Sequence, residues 1–200
     1  MSVCTLVTRE APDFTAQAVM PDSSFGELTL SKYRGKYVVL FFYPLDFTFV
    51  CPSEILAFNK RLAEFKEKNC EVIGVSVDSR FTHLAWKNTA VENGGIGNIQ
   101  YPLVEDLNKN IARSYGILLD ESVALRGLFL LDPKGTVRHA VINDLPLGRS
   151  VNEALRMVDA LQFVETHGDQ VCPANWQEGD EPMEATKDGV ASYLAKHAKR

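Results

Sequence analysis

The sequence predicts an α/β protein, a mixed sheet flanked by helices, and three observations carry that reading. The densest apolar run, Tyr37-Val-Val-Leu-Phe-Phe-Tyr43, is β-branched and aromatic, too short for a helix and stopped by Pro44, as a strand buried on both faces would be. Residues 52–67 then place Ile55, Phe58, Leu62 and Phe65 at helical spacing among Lys60, Arg61, Glu64 and Lys66. Val72-Ile-Gly-Val-Ser-Val77 reads as a second strand, which completes a strand-helix-strand unit with parallel strands.

The remaining elements follow in order. A helix is expected from near Ser79 toward Glu92, ending at Gly94-Gly95, then a short strand over Tyr101–Val104 and a short helix over Asn108–Tyr115 closed by Gly116. Val123–Leu131 reads as one strand, turned by Asp132-Pro-Lys-Gly135 into a partner over Thr136–Ile142. Ser150-Val-Asn-Glu153 is a capping-box pattern opening a last core helix, with Ala154, Leu155, Val158, Leu161 and Val164 facing inward. That order gives about four or five strands and is thioredoxin-like. After Gly168 the chain turns rich in Gly, Pro, Asp and Glu, with a short helix expected over Gly189–His197; residues 1–168 are therefore read as one domain and 169–200 as a C-terminal arm.

Composition narrows the class. Of 200 residues 46% are hydrophobic and 24% charged, an ordinary globular balance, and 21 basic against 26 acidic residues leave no basic footprint for nucleic acid or an anionic membrane. No basic flank precedes an apolar run at the N-terminus, so a cytoplasmic location is expected. Four cysteines, at 4, 51, 70 and 172, are too sparse for a disulfide scaffold, and no Cys-x-x-Cys or spaced His pair offers a metal chelate. Neither a metal nor an organic cofactor is expected.

Cys51 is the candidate centre. It falls in the first helical turn after the buried strand, at the carboxyl end where open α/β sheets hold their ligands. Unpaired N–H groups and the positive end of the helix dipole favour a thiolate there. Pro52 suits a first helical position because it lacks an N–H, and Thr48 offers a hydroxyl three residues away. The bland alternative is a small buried hydrophobe. Arg126, in an otherwise apolar strand, calls for a buried anion, and either Cys51 or Glu54 could supply it. Cys172 lies in the arm within a second Val-Cys-Pro, and a mobile thiol could resolve a sulfenic acid on the first. Cys4 and Cys70 are assigned no role, and His139 is the only histidine considered as a base, for a Cys-His hydrolase.

Phe42-Tyr-Pro-Leu-Asp-Phe-Thr-Phe-Val-Cys-Pro52, with Pro44, Thr48 and Cys51 spaced as Pro-x-x-x-Thr-x-x-Cys, resembles the signature of the typical 2-Cys peroxiredoxins, and the second Val-Cys-Pro at 171–173 extends that resemblance over nearly the whole chain. It implies a thiol peroxidase in which Cys51 is peroxidatic and Cys172, from a partner subunit, resolves it. Thr48 would then hydrogen-bond the peroxide, Pro44 would shield the thiolate, Arg126 would be the active-site arginine, and Glu54 with Arg149 would orient it. The resemblance further implies hydroperoxide substrates, a thioredoxin or a flavoprotein disulfide reductase as donor, and an antiparallel homodimer assembled into a ring of dimers. Members prone to over-oxidation carry Gly-Gly-Leu-Gly and a C-terminal Tyr-Phe pair; this chain has Gly94-Gly-Ile-Gly97 and Tyr193-Leu194, so intermediate sensitivity is expected. A peroxide sensor or oligomeric holdase stands as the alternative.

Overall fold

The structure, a computed structural model, describes residues 5–197. Cys4 lies outside the described residues. The chain divides into two compact units between Val151 and Asn152.

The first unit is built on β1 (Thr15–Val19), β2 (Phe25–Thr29), β3 (Tyr37–Phe42), α1 (Cys51–Lys60), α2 (Leu62–Glu67), β4 (Cys70–Ser76), α3 (Arg80–Asn88), β5 (Leu103–Glu105), α4 (Asn110–Ser114), β6 (Leu118–Leu119), β7 (Val123–Ala124), β8 (Arg126–Leu131) and β9 (Val137–Asn143). Seven strands form one mixed sheet in the order β2-β1-β5-β4-β3-β8-β9. β3 pairs parallel with β4 and antiparallel with β8, and β4 pairs parallel with β5. The strand-helix-strand unit and the β8-β9 hairpin stand as the sequence predicts.

Alternation along β3 explains its central place. Val38, Leu40 and Phe42 join Ile73, Val75, Phe129 and Leu131 in the main core cluster, whereas Phe41, on the other face, stacks on Phe58 at 4.7 Å and meets Tyr101 edge-on at 5.9 Å. A strand clothed on both sides needs no polar face.

Four expectations are corrected. The sheet has seven strands rather than four or five, because β1 and β2 form an N-terminal hairpin whose alanines, Gln17, Gly26 and Glu27 carry little strand preference. The helix over 52–67 breaks at Arg61 (φ −103°, ψ 9°), although Ile55, Phe58, Leu62 and Phe65 remain buried across the break. The helix expected to reach Glu92 ends at Asn88: Thr89 turns extended, and a 3-10 turn over Val91–Asn93 leads to Gly94, which takes a left-handed conformation. Gly95 then lies against the Thr89 carbonyl so closely that a Cβ would sit 1.9 Å from its oxygen. Finally, Val123–Leu131 is two strands. The Gly127 N–H donates to the Leu125 carbonyl at 2.8 Å, a tight turn centred on Arg126, so Arg126 opens β8 instead of lying mid-strand.

The second unit holds α5 (Val151–Thr166), the two-residue pair β10 (Gln170–Val171) and β11 (Met183–Glu184), and α6 (Lys187–His197). Ala154, Leu155, Val158 and Leu161 are buried as predicted, with Val164 half-buried. Trp176 packs on Phe163 and donates its indole N–H to the Asp180 carbonyl. Lys196 and His197 of α6 both reach Glu181, at 2.6 and 3.1 Å.

Candidate active site

The loop from β3 to α1 builds the site. Pro44 lies two residues beyond β3 and is buried; Phe47 takes a left-handed conformation (φ 52°); Cys51 is the first residue of α1 and is 0% exposed. A bulky residue at positive φ is costly and persists only when its surroundings hold it. Here the hold is Asp46. Its N–H donates to Asp78 Oδ2 at 2.6 Å, while its own carboxylate accepts from the Tyr43 hydroxyl at 2.9 Å and lies 2.7 Å from His83 Nδ1. Burial raises the carboxyl of Asp78, and burial together with Asp46 raises the Tyr43 phenol, which stays a donor.

Around the Cys51 sulfur the predicted partners converge. Thr48 Oγ1 is 3.0 Å from Sγ and also 2.9 Å from the Leu45 carbonyl, to which it can donate. Arg126 Nη1 is 3.3 Å from Sγ and donates to Glu54 Oε2 at 2.8 Å, and its Nε donates to the Leu145 carbonyl at 2.6 Å. Glu54 in turn accepts from Arg149: from Nε at 2.7 Å, Nη2 at 3.0 Å and the main-chain N–H at 2.8 Å. Arg149 Nη1 reaches the Gly127 carbonyl at 2.5 Å, and its guanidinium lies 5.3 Å from the centre of the Phe41 ring.

Charge balance gives this cluster its meaning. Arg126 and Glu54 are each 3% exposed, and the Arg149 side chain is 2% exposed. Burial raises the Glu54 carboxyl, but the hydrogen bonds and charge of Arg149, with the charge of Arg126, outweigh it and hold it below the ordinary range. Two buried guanidiniums thus face one carboxylate. A buried charge without a counter-ion is strongly unfavourable, and the Cys51 sulfur, 3.3 Å from Arg126, lies against a cluster that carries one more cation than anion. Arg126 thus has Glu54 as its carboxylate partner and the Cys51 sulfur within reach.

Cys172 belongs to the second unit. It directly follows β10, is half-buried, and has its sulfur 3.7 Å from the Ala160 carbonyl. Burial raises its thiol while nearby Arg156 pulls it down, and burial wins. Cys70, buried at the start of β4, is pushed up to about 12 by burial. Tyr43, Asp46, Asp78 and His83 escape a reading of the sequence alone. Asp46 looks like a loop residue, and no spacing marks its meeting with a histidine 37 positions on.

A buried cysteine sulfur within reach of a hydroxyl and a guanidinium, at the end of a central strand in a sheet of this order, is the arrangement of the thiol redox enzymes of thioredoxin-like fold. The AhpC/TSA family profile matches residues 7–140, and that of the C-terminal domain of 1-Cys peroxiredoxin matches residues 160–196. Peroxiredoxin-1 of Gekko japonicus is 58% identical over 188 residues, covering 94% of both chains. Alkyl hydroperoxide reductase C of Helicobacter pylori strain J99 is 57% identical over 195 residues, covering 96% of this chain and 98% of its own. The reduced 2-Cys peroxiredoxin of Plasmodium vivax superposes with a TM-score of 0.94 at 53% identity, covering 96% of this chain and 100% of its own. The chain belongs to the AhpC/TSA family, the peroxiredoxins, and is a thiol-dependent peroxidase of hydroperoxides. Among the described residues no helix is long and apolar enough to cross a membrane.

Proposed function

We propose that Cys51 is the peroxidatic cysteine and Cys172, from the arm of a partner subunit, the resolving one. The observation that carries this reading is the Cys51 sulfur lying 3.0 Å from a hydroxyl and 3.3 Å from a guanidinium in a cluster one anion short of neutral.

In the first step the Cys51 thiolate attacks the outer peroxide oxygen. An S–O bond forms, the O–O bond breaks, and the departing alkoxide or hydroxide takes a proton to leave as alcohol or water. Sulfur loses negative charge as the departing oxygen gains it, so donors that can follow the charge lower the barrier. On this reading Arg126, 3.3 Å from the sulfur, and the Cys51 N–H are those donors. Thr48 can donate to the Leu45 carbonyl while its lone pairs accept the peroxide proton. Pro44 excludes water, and Glu54 with Arg149 fixes the guanidinium.

In the second step the Cys172 thiol displaces water from the Cys51 sulfenic acid, forming the disulfide, and a dithiol donor then reduces it by exchange. A sulfur that is 0% exposed cannot reach a second sulfur, so the first turn of α1 must unwind. Its N-cap, Val50, gives no side-chain cap, so residues 51–53 can open at small cost while Glu54, at the end of the turn, keeps its arginine partners. The Plasmodium vivax relative is itself a 2-Cys peroxiredoxin, which supports a pair of working cysteines here.

On this reading residues 1–168 are the peroxidase domain and 169–200 the arm that carries the resolving cysteine. The protein works as an antiparallel homodimer in a ring of dimers, in the cytoplasm, with a thioredoxin or a flavoprotein disulfide reductase as donor. Tyr193-Leu194 in place of a Tyr-Phe pair gives it intermediate sensitivity to over-oxidation.

The test is intact mass under non-reducing, denaturing conditions after one equivalent of hydrogen peroxide. The expected result is a covalent dimer in the wild type alone, with one added oxygen on Cys51 in Cys172→Ser. An unmodified wild type would overturn it.

A further inference from the structure

Unwinding the first turn of α1 raises a question that Cys51, Thr48 and Arg126 do not answer: what stops it there. Two contacts on one face of α1 lie just beyond that turn. The Tyr101 hydroxyl donates to the Ile55 carbonyl at 2.8 Å, and one turn further on Asn59 Oδ1 accepts the Gln100 N–H at 2.7 Å. Adjacent residues of the segment before β5 therefore grip α1 at positions 55 and 59. Tyr101 is 2% exposed, its ring packs edge-on against Phe41, and burial holds its phenol well above the ordinary value, so it stays a donor. Ile55 is itself fully buried. Fraying past Glu54 would pull Ile55 from the core and leave a buried hydroxyl without its acceptor.

We propose that Tyr101 and Asn59 are positioning residues of the peroxidase cycle: they clamp α1 from Ile55 onward, confine unwinding to the turn that carries Cys51, and so set how often the sulfenic acid is presented for resolution. The inference rests on the assignment of Cys51 and Cys172 made above. Neither residue touches the sulfur, so the clamp acts on the opening step and leaves the peroxide step alone. While the turn is closed, a second peroxide can oxidise the sulfenic acid to sulfinic acid and water; while it is open, Cys172 captures it. A looser clamp therefore shifts the partition toward the disulfide.

The experiment compares full-length wild type, Tyr101→Phe, Asn59→Ala and Ile73→Val, the last a core change in β4 remote from the clamp. Each is mixed with hydrogen peroxide and quenched with an alkylating agent, and disulfide, sulfenic and sulfinic species are counted by intact mass. The expected result is disulfide formation about three- to tenfold faster in Tyr101→Phe and Asn59→Ala, the shift one net hydrogen bond sets. The peroxide concentration giving half sulfinic acid rises by the same factor, and sulfenic acid formation stays within about twofold of wild type. Should Tyr101→Phe fold poorly, Asn59→Ala carries the test. A disulfide rate at or below that of wild type in both variants, or a partition moved equally by Ile73→Val, overturns the clamp. A wild type that forms no disulfide at all overturns instead the cysteine assignment beneath it.

Discussion

Glu54→Gln is the most informative single change, because it alters one charge and almost no volume. Its carboxylate takes four hydrogen bonds, one from Arg126 and three from Arg149, at 2.7 to 3.0 Å. An amide can accept with one oxygen only, and its NH2 faces guanidinium donors. Removing one partner from a buried ion cluster costs about 3–5 kcal/mol. At about 2–4 °C per kcal/mol for a chain of this size, the melting temperature at pH 7 should fall by about 6–20 °C.

The pH dependence fixes the cause. The Glu54 carboxyl is held below its ordinary value of 4.5 in the folded protein, so its contribution is complete above 4.5 and is lost as the pH falls through the lower, folded value. The gap in melting temperature between wild type and variant should therefore close on acidification below about 4.5. Arg126, no longer held at 2.8 Å by Glu54, loses its aim at Cys51. A misplaced group of this kind costs about a hundredfold or less, so the second-order rate with hydrogen peroxide should fall about ten- to a hundredfold. Competition kinetics against a reference peroxidase measures the rate, and calorimetry from pH 3 to 8 the stability. A variant that reacts within about twofold of wild type, or whose melting gap is the same at pH 3.5 and 7, refutes the reasoning.

Thr48→Val should lower the peroxide rate by about a hundred- to a thousandfold while Thr48→Ser stays within a few-fold, measured by the same competition; equal losses would make the methyl group the active part. Arg156→Ala removes the charge that pulls the Cys172 thiol down, so disulfide formation at pH 7 should slow a few-fold and recover at higher pH, with sulfenic acid formation unchanged, as followed by quenched mass analysis. Cys70, with its thiol pushed up to about 12 and its side chain buried, should stay unmodified by iodoacetamide at pH 8 in the native protein, as peptide mapping would show.

The parts of this molecule legible in the sequence are those where one physical demand leaves one solution. Tyr37 to Tyr43 can only be a doubly buried strand, and Ile55, Phe58, Leu62 and Phe65 keep their face even across the break at Arg61. Cys51 is legible because a local signal, the end of a buried strand followed by Pro at a helix start, fixes its place. The N-terminal hairpin is not, since β1 owes its form to pairing with β5 and β2 to pairing with β1 rather than to their own residues. Arg126 is legible as a buried cation but not as the first residue of β8, because the turn at Gly127 is a main-chain event without a sequence signature. The Asp46, Tyr43 and His83 contacts join positions up to 40 residues apart and leave no trace in any window.

Such long-range contacts divide the labour around Cys51. Behind the sulfur, Glu54, Arg126 and Arg149 form a scaffold tied to the main chain at Leu145 and Gly127, and Asp46 holds the strained loop in front. Both hold the closed geometry in which donors face the sulfur. Between them α1 starts without a side-chain cap, and the bond from Ser53 Oγ to the Val50 carbonyl at 2.6 Å lies within residues 50–53, whereas Glu54, which ends the turn, is anchored to both arginines. Rigidity is thus placed on either side of residues 51–53, the segment that moves if Cys51 is the peroxidatic cysteine. The donors can keep their places while Cys51 leaves them, so the closed site can re-form without rebuilding its charges, which is what a cycle alternating between attack on peroxide and capture by a second thiol requires.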